Sequence, residues 1–269
     1  MYTATGHGST TLLRGPASHG CTKGAKRHGA LRTRHLDLTT AILFLSGLLC
    51  DEAVWRRQMA EFGHLGQVAA ADLTLDDTIV AMAERAAGTV AGQFAIVALS
   101  MGGYVAFEML RRCPDRISSV ALFDSSAAPD TAARAAERRD GIAALSLGRF
   151  LGATRRLMPR LIHPTRLDGP VAEEVQSMAL RVGGDAYRRQ QLAILGRADS
   201  RPSLPAIRVP TLVAVGRQDT LTPPYESQVI QRAVPGARLH IFERCGHLPP
   251  LECPEEVTAL LAQWLPARL

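Results

Sequence analysis

Between residues 41 and 265, short runs of Val, Ile, Leu and Ala recur, separated by stretches whose apolar residues return every three or four positions. Runs of four to seven apolar residues bounded by turn formers mark strands buried on both faces, while the longer period is that of helices. The runs predict strands over 41–45, 67–72, 94–99, 117–123, 211–215 and 238–242. Helices are expected over 52–62, 78–90, 102–112 and 254–265. The last opens with Pro254, Glu255 and Glu256, a proline and acids where the first turn favours them. Strands alternating with helices in this way predict an α/β fold, a mostly parallel sheet covered by helices on both faces.

The alternation lapses between residues 123 and 211, a gap far too long for one crossover helix. The gap reads as amphipathic helices near 131–146, 147–161, 171–181 and 185–197, broken at Pro164, Gly169 and Gly183. This predicts a helical lid, residues 127–205, inserted into a core made of 39–126 and 206–269. Before the core, "STTLLRG" and "HLDLTT" are the only candidates for an extra hairpin. Neither alternates as strands should, so a sheet that is shorter at that edge is expected.

Charge separates the first residues from the rest. The chain carries a net charge of +6, and residues 1–36 hold six Lys or Arg and no Asp or Glu. Lys23 and Lys26, the only lysines, both lie there. Residues 1–38 therefore read as a basic, disordered leader. The remaining body has as many acidic as basic residues, which leaves no basic footprint for neutralising phosphates and argues against nucleic acid. No apolar run approaches the roughly 20 residues of a membrane span, so no membrane partner is expected. Five scattered cysteines, Cys21, Cys50, Cys113, Cys245 and Cys253, lack paired metal-ligand spacing and suit a reducing, cytoplasmic compartment.

The stretch "AILFLSGLLCDEAVW", residues 41–55, admits two readings after this leader: the apolar part of an export signal, or the first core strand. Locally the export reading fails, because Leu49 precedes Cys50 where a lipoprotein site needs a small residue, and Asp51 and Glu52 follow at once.

The candidate chemistry begins at the end of the third strand, where "ALSMGG" runs into the helix "YVAFEMLRR". A serine on a sharp strand-to-helix turn exposes its hydroxyl above the sheet edge, and small neighbours permit the turn. Ser100 is the candidate nucleophile; Ala98 stands where the usual motif has glycine. A serine needs a base, and His247, in "ERCGHLPPLECPEE" after the last strand, reaches the same edge. The imidazole in turn needs a carboxylate to fix its tautomer. Asp219, in "VGRQDTLTPP", is favoured, with Asp124, in "LFDSS", as the rival.

Serine, acid and histidine in this order, each after a strand, resemble the α/β-hydrolase superfamily over about residues 41–265. The resemblance implies the α/β-hydrolase fold and a serine hydrolase acting on a small-molecule ester or lactone. It also implies an oxyanion hole built from the N–H groups of Leu48, in Ser46-Gly47-Leu48, and of Met101. Residues 41–55 would then supply both a core strand and half of that hole. "LSMGG" is similar to enol-lactonases and small carboxylesterases, but also to carbon–carbon bond hydrolases and a menaquinone-pathway lyase. A cofactor-free perhydrolase and a non-catalytic receptor on the same scaffold remain alternatives. Dehalogenases and epoxide hydrolases of this fold use aspartate as nucleophile, which Ser100 is not.

Cys50 reads as a packing residue, Trp55 as an anchor of the first helix, and His64, His163 and His240 as surface or packing residues. No metal and no cofactor are expected. The thirteen arginines of 127–205 against eight acids read either as solvated helix faces or as a cationic lid for an anionic acid group. Phe150, Leu151, Met158, Leu161 and Met178 are candidates for an apolar acyl pocket. Nothing in the sequence fixes an oligomeric state.

Overall fold

A computed structural model describes residues 41–146, 148, 150 and 152–265. The two leader segments considered for a hairpin lie outside the described residues. Among the described residues, six parallel strands form one sheet in the order β2-β1-β3-β4-β5-β6. They are β1 Ala41–Leu45, β2 Val68–Ala71, β3 Phe94–Leu99, β4 Ile117–Phe123, β5 Thr211–Gly216 and β6 Arg238–Phe242. The central strands β1 and β3 are buried at every position, which is why they read as continuous apolar runs rather than as alternation. The edge strands β2 and β6 are only partly covered.

Helices α1 Arg56–Phe62, α2 Ile79–Ala87 and α3 Met101–Arg112 fill the early crossovers. Thr78 caps α2 by accepting the Ala81 N–H. A short 3-10 turn, Glu52–Trp55, precedes α1. Between β4 and β5 lie α4 Ala132–Ser146, α5 Met158–Leu161 and α6 Pro170–Leu195. Then come α7 Pro224–Ala233, α8 Pro249–Glu252 and α9 Pro254–Trp264.

The sheet splits the core in two, because successive side chains of a strand point to opposite faces. Leu43, Ile96, Leu122 and Val213 pack with α2, α3 and Ile230 of α7 on one face. Ile42, Phe44, Val97, Phe123 and Phe242 pack with Trp55, Trp264 and the first half of α6 on the other. There Trp55 is fully buried and lies 5.2 Å from the Phe44 ring and 5.7 Å from Phe123, an anchor between α1 and the sheet.

The expected helix over 147–161 is largely absent: among its described residues only Met158–Leu161 are helical. Gly148 and Gly152 adopt φ of 70° and 59°, which ends a right-handed helix. Conversely, the helices expected over 171–181 and 185–197 are one helix, α6, kinked at Gly183 with φ 78° and ψ 172°. No helix among the described residues is long and apolar enough to cross a membrane.

Candidate active site

Parallel register decides which residues meet. Leu45 pairs with Ala98, Leu99 with Phe123, Phe123 with Ala214, and Gly216 with Phe242. The strands thus end on one line, and the residues that follow them emerge along one edge. Ser46, Ser100 and Asp124 come directly after β1, β3 and β4, while Asp219 and His247 sit on the loops after β5 and β6.

Ser100 occupies a sharp turn, with φ 52° and ψ −112°. Positive φ is costly for a residue with a Cβ, and it is sustained where surrounding structure over-determines it. Here the Ser100 N–H donates to Phe123 O at 2.9 Å, and its carbonyl accepts the Ser125 hydroxyl at 2.9 Å. Helix α3 then passes directly against β1. A Cβ on Gly102 would lie 2.3 Å from Leu45 O, so only glycine fits that close approach.

The three residues singled out from the sequence come together. Ser100 Oγ lies 2.9 Å from His247 Nε2, and His247 Nδ1 lies 2.8 Å from Asp219 Oδ2. His247 and Asp219 are buried, while Ser100 is half-buried. Asp219 also accepts the N–H groups of Leu221 and Thr222 on Oδ1 and the Thr222 hydroxyl on Oδ2. Burial opposes its charge, but the attraction of His247 and the bonds from His247 and Thr222 prevail and hold its pKa down at about 2. The rival, Asp124, instead accepts the Gly216 N–H at 2.9 Å.

The Leu48 loop abuts Ser100: a Cβ on Gly47 would lie 3.4 Å from the Ser100 Cβ. Among the described residues, neither the Leu48 nor the Met101 N–H is given to an acceptor. Cys50, next to this loop, is buried, and burial pushes its thiol up to about 12, far from nucleophilic thiolate chemistry. On the outer flank of the loop is a cavity of about 800 Å³ lined by Ser46, Asp51, Arg56, Leu73 and Arg181. Ser100 and His247 are not in its wall.

Two positioning side chains were not legible beforehand. Gln190 of α6, fully buried, accepts the Leu49 N–H at 3.1 Å and donates to Leu73 O at 3.2 Å, pinning the loop that carries Leu48. Glu252 of α8 accepts the N–H groups of Gly246 and Leu248 on one oxygen and that of His163 on the other. It clamps the His247 loop on both sides, and the His247 N–H itself donates to Leu161 O at 2.9 Å. A buried amide on an apolar helix face and an acid between prolines were the available signals.

Asp124, Asp219 and His247 form a group of possible metal ligands, their atoms within 4.8 Å of one another. His247 Nδ1 and Asp219 Oδ2 are already bonded to each other, which is the geometry of an oriented imidazole rather than of converging ligands. The other histidines among the described residues have local partners: His64 meets Glu61 O, His163 meets Thr165, and His240 meets Glu256.

A family model described as the alpha/beta hydrolase fold matches residues 87–254, a stretch holding Ser100, Asp219 and His247. A pimeloyl-[acyl-carrier protein] methyl ester esterase of Neisseria meningitidis serogroup C is 34% identical over 190 residues, 66% of this chain and 73% of that protein. Its namesake from Nitrosomonas europaea is 27% identical over 234 residues, 80% and 91% of the two chains. Among solved structures, a thermophilic esterase from Thermogutta terrifontis superposes with a TM-score of 0.77 at 29% identity, over 85% of this chain and 90% of that one. An enol-lactonase from Burkholderia xenovorans LB400, at 22% identity and a TM-score of 0.70 over 84% and 91%, shares the fold. Strand order, the turn at Ser100 and these matches agree: the chain belongs to the α/β-hydrolase fold family.

Proposed function

We propose that the protein is an ester-bond hydrolase working through an acyl-enzyme on Ser100. The observation that carries the reading is the hydrogen-bonded chain from Ser100 through His247 to Asp219, with bonds of 2.9 and 2.8 Å. In this reading His247 Nε2 takes the Ser100 proton as Oγ attacks the ester carbonyl. Asp219, ionised, holds the Nδ1 proton and stabilises the imidazolium. The N–H groups of Leu48 and Met101 receive the charge on the former carbonyl oxygen. Collapse breaks the ester C–O bond, and His247 gives its proton to the departing alcohol. Water, deprotonated by the same imidazole, then cleaves the acyl-serine and regenerates Ser100.

The curated relatives act on a pimeloyl-[acyl-carrier protein] methyl ester by name, and we infer an acyl methyl ester on a carrier as the preferred substrate. Residues 127–205 serve as the lid over the core of 39–126 and 206–269. Arg139, Arg155, Arg156 and Arg188 on this segment are exposed and pair with no acid among the described residues, a cationic surface suited to an anionic carrier. The described cysteines are free thiols, which supports a reducing compartment, and we infer the cytoplasm.

The test is a hydrolysis screen over carrier-linked methyl esters, free methyl and p-nitrophenyl esters and lactones, with fluorophosphonate labelling alongside. Labelling at Ser100 and a kcat loss of about 10⁴- to 10⁶-fold in Ser100→Ala are expected. Full esterase activity in that variant would end the proposal, and a folded protein that resists labelling would favour a receptor.

A further inference from the structure

Asp124 is the buried acid that this mechanism leaves unused. It is the first residue past β4, it is wholly buried, and it holds φ 45°, a strained conformation for a side-chain-bearing residue. Its backbone is fixed by the bond from its N–H to Ala214 O at 2.9 Å. One carboxyl oxygen, Oδ1, accepts the Gly216 N–H. The other, Oδ2, is sealed from solvent, and no N–H or O–H of the described residues reaches it.

An ionised carboxylate so placed would pay for desolvation with a single donor in return. Its neighbours make that worse. Asp219 stands close enough for a side-chain hydrogen bond, and Glu252 of α8 adds a second negative neighbour. Burial first, and then the charge of Asp219, push the Asp124 carboxyl well above the usual carboxylate range. Two buried carboxyl groups in contact share one proton. Counting donors decides which of them keeps it. Asp219 already receives four: Leu221 N–H, Thr222 N–H, Thr222 O–H and His247 Nδ1–H. Asp124 receives one.

We propose that Asp124 is a neutral carboxylic acid whose Oδ2–H donates to the Asp219 carboxylate, making it a positioning residue behind the acid that orients His247. The bond turns an oxygen with nothing to accept into a satisfied donor, and it braces Asp219 in addition to Thr222 and His247. The inference rests on the reading of Ser100, His247 and Asp219 as a catalytic unit, but its main test does not depend on turnover.

That test is difference infrared spectroscopy of wild type against Asp124→Asn at neutral pH. A carbonyl band of a protonated, buried carboxylic acid is expected in wild type and absent in the variant. Kinetics of two substitutions complete it. Asparagine keeps a donor toward Asp219 and an acceptor for the Gly216 N–H, so Asp124→Asn should lower kcat only about threefold. Alanine removes the donor, and kcat should fall about 10- to 100-fold at unchanged KM, the range expected for a bond to a charged group. The proposal is overturned by absence of the band, by full kcat in Asp124→Ala, or by a loss in Asp124→Asn as large as that of Asp219→Asn, which would make Asp124 an ionised partner. A protein with the band but no fluorophosphonate label at Ser100 would instead sink the hydrolase reading and spare this one.

Discussion

The edge of the sheet and the helical segment between β4 and β5 contribute to one site in different ways. At the edge, Ser100, Asp219 and His247 hang on loops that leave the parallel strands β3, β5 and β6, and their bonds to each other are side chain to side chain at 2.9 and 2.8 Å. The helical segment sends none of these groups. It touches the site through hydrogen bonds that hold the loops: Gln190 on the Leu49 N–H, Arg134 on the Leu221 carbonyl, the Leu161 carbonyl on the His247 N–H, and the His163 N–H on the Glu252 side chain. Register places Ser100, Asp219 and His247 together, and the insertion fixes the loops between them. Damage to the first should abolish chemistry, whereas damage to the second should loosen it.

Asp219→Asn strikes the edge and should have the largest effect. It leaves the shape intact but fixes the wrong imidazole tautomer, so kcat should fall about 10⁴-fold, read from steady-state kinetics. It should also change acid stability in a defined direction. The folded pKa of Asp219, about 2, lies below the ordinary value of ~3.9. Its ionisation therefore adds stability above pH ~4, and that contribution fades as the pH falls toward 2. The gap in denaturant midpoint between wild type and variant should narrow over that window. A gap that is constant with pH would mean that Asp219 is not held down by its partners.

Glu252→Gln tests the joint between the two regions. One amide oxygen cannot serve three N–H donors, and the amide N–H₂ must face one of them, leaving buried donors unpaired. A loss of about 3 kcal/mol is expected in urea unfolding, together with a kcat about tenfold lower, as the His247 loop loosens. Unchanged stability would contradict the clamp.

Gln190→Leu should act more mildly and on a different step. The fold keeps its packing, but the Leu49 N–H and Leu73 O lose their partner, and the loop that aims the Leu48 N–H is freed. We expect kcat about tenfold lower with KM nearly constant, since an oxyanion donor matters chiefly in the transition state. A pure KM effect would show that the loop binds substrate rather than the tetrahedral state.

The same contrast explains what could be read in advance. Strands β1, β3 and β4 were legible to the residue because parallel strands buried on both faces are largely apolar, and the edge strand β6 was legible from its shorter apolar run around Leu239, Ile241 and Phe242. Helix α7 was not, since Pro223 and Pro224 look like a loop and only Ser227 and Ile230 of the helix are buried, too few to set a period. In the insertion, Gly183 was read as a break but only bends a helix, whereas Gly148 and Gly152 were read through although their positive φ interrupts the helix expected over 147–161. For the site, a reactive residue just past a strand is visible in one dimension. The sequence favoured Asp219 over Asp124 but could not show the contact that separates them, because both follow strands to the same edge and the turn after Gly216 is what brings Asp219 to Nδ1. Gln190 and Glu252 stayed hidden because a polar residue that binds backbone leaves no partner motif.

The smallest effect belongs to the outer face of the insertion, where the helical segment meets solvent. Its inward arginines are spent: Arg197 and Arg138 share Asp130, and Arg197 also stacks on the Tyr104 ring at 4.4 Å. Arg155 and Arg156 are exposed and free of acidic partners among the described residues, so reversing them should cost the fold little. If an anionic carrier approaches this face, Arg155→Glu with Arg156→Glu should raise KM for a carrier-linked ester about threefold to tenfold at low salt. The difference should shrink as ionic strength rises, because exposed charges are screened beyond roughly 10 Å at 0.1 M salt. The same variant should hydrolyse a p-nitrophenyl ester at the wild-type rate, since Ser100 and its partners do not change. Equal effects on both substrates would mean that these arginines shape the fold rather than meet a carrier. No effect on either would return them to solvated helix surface.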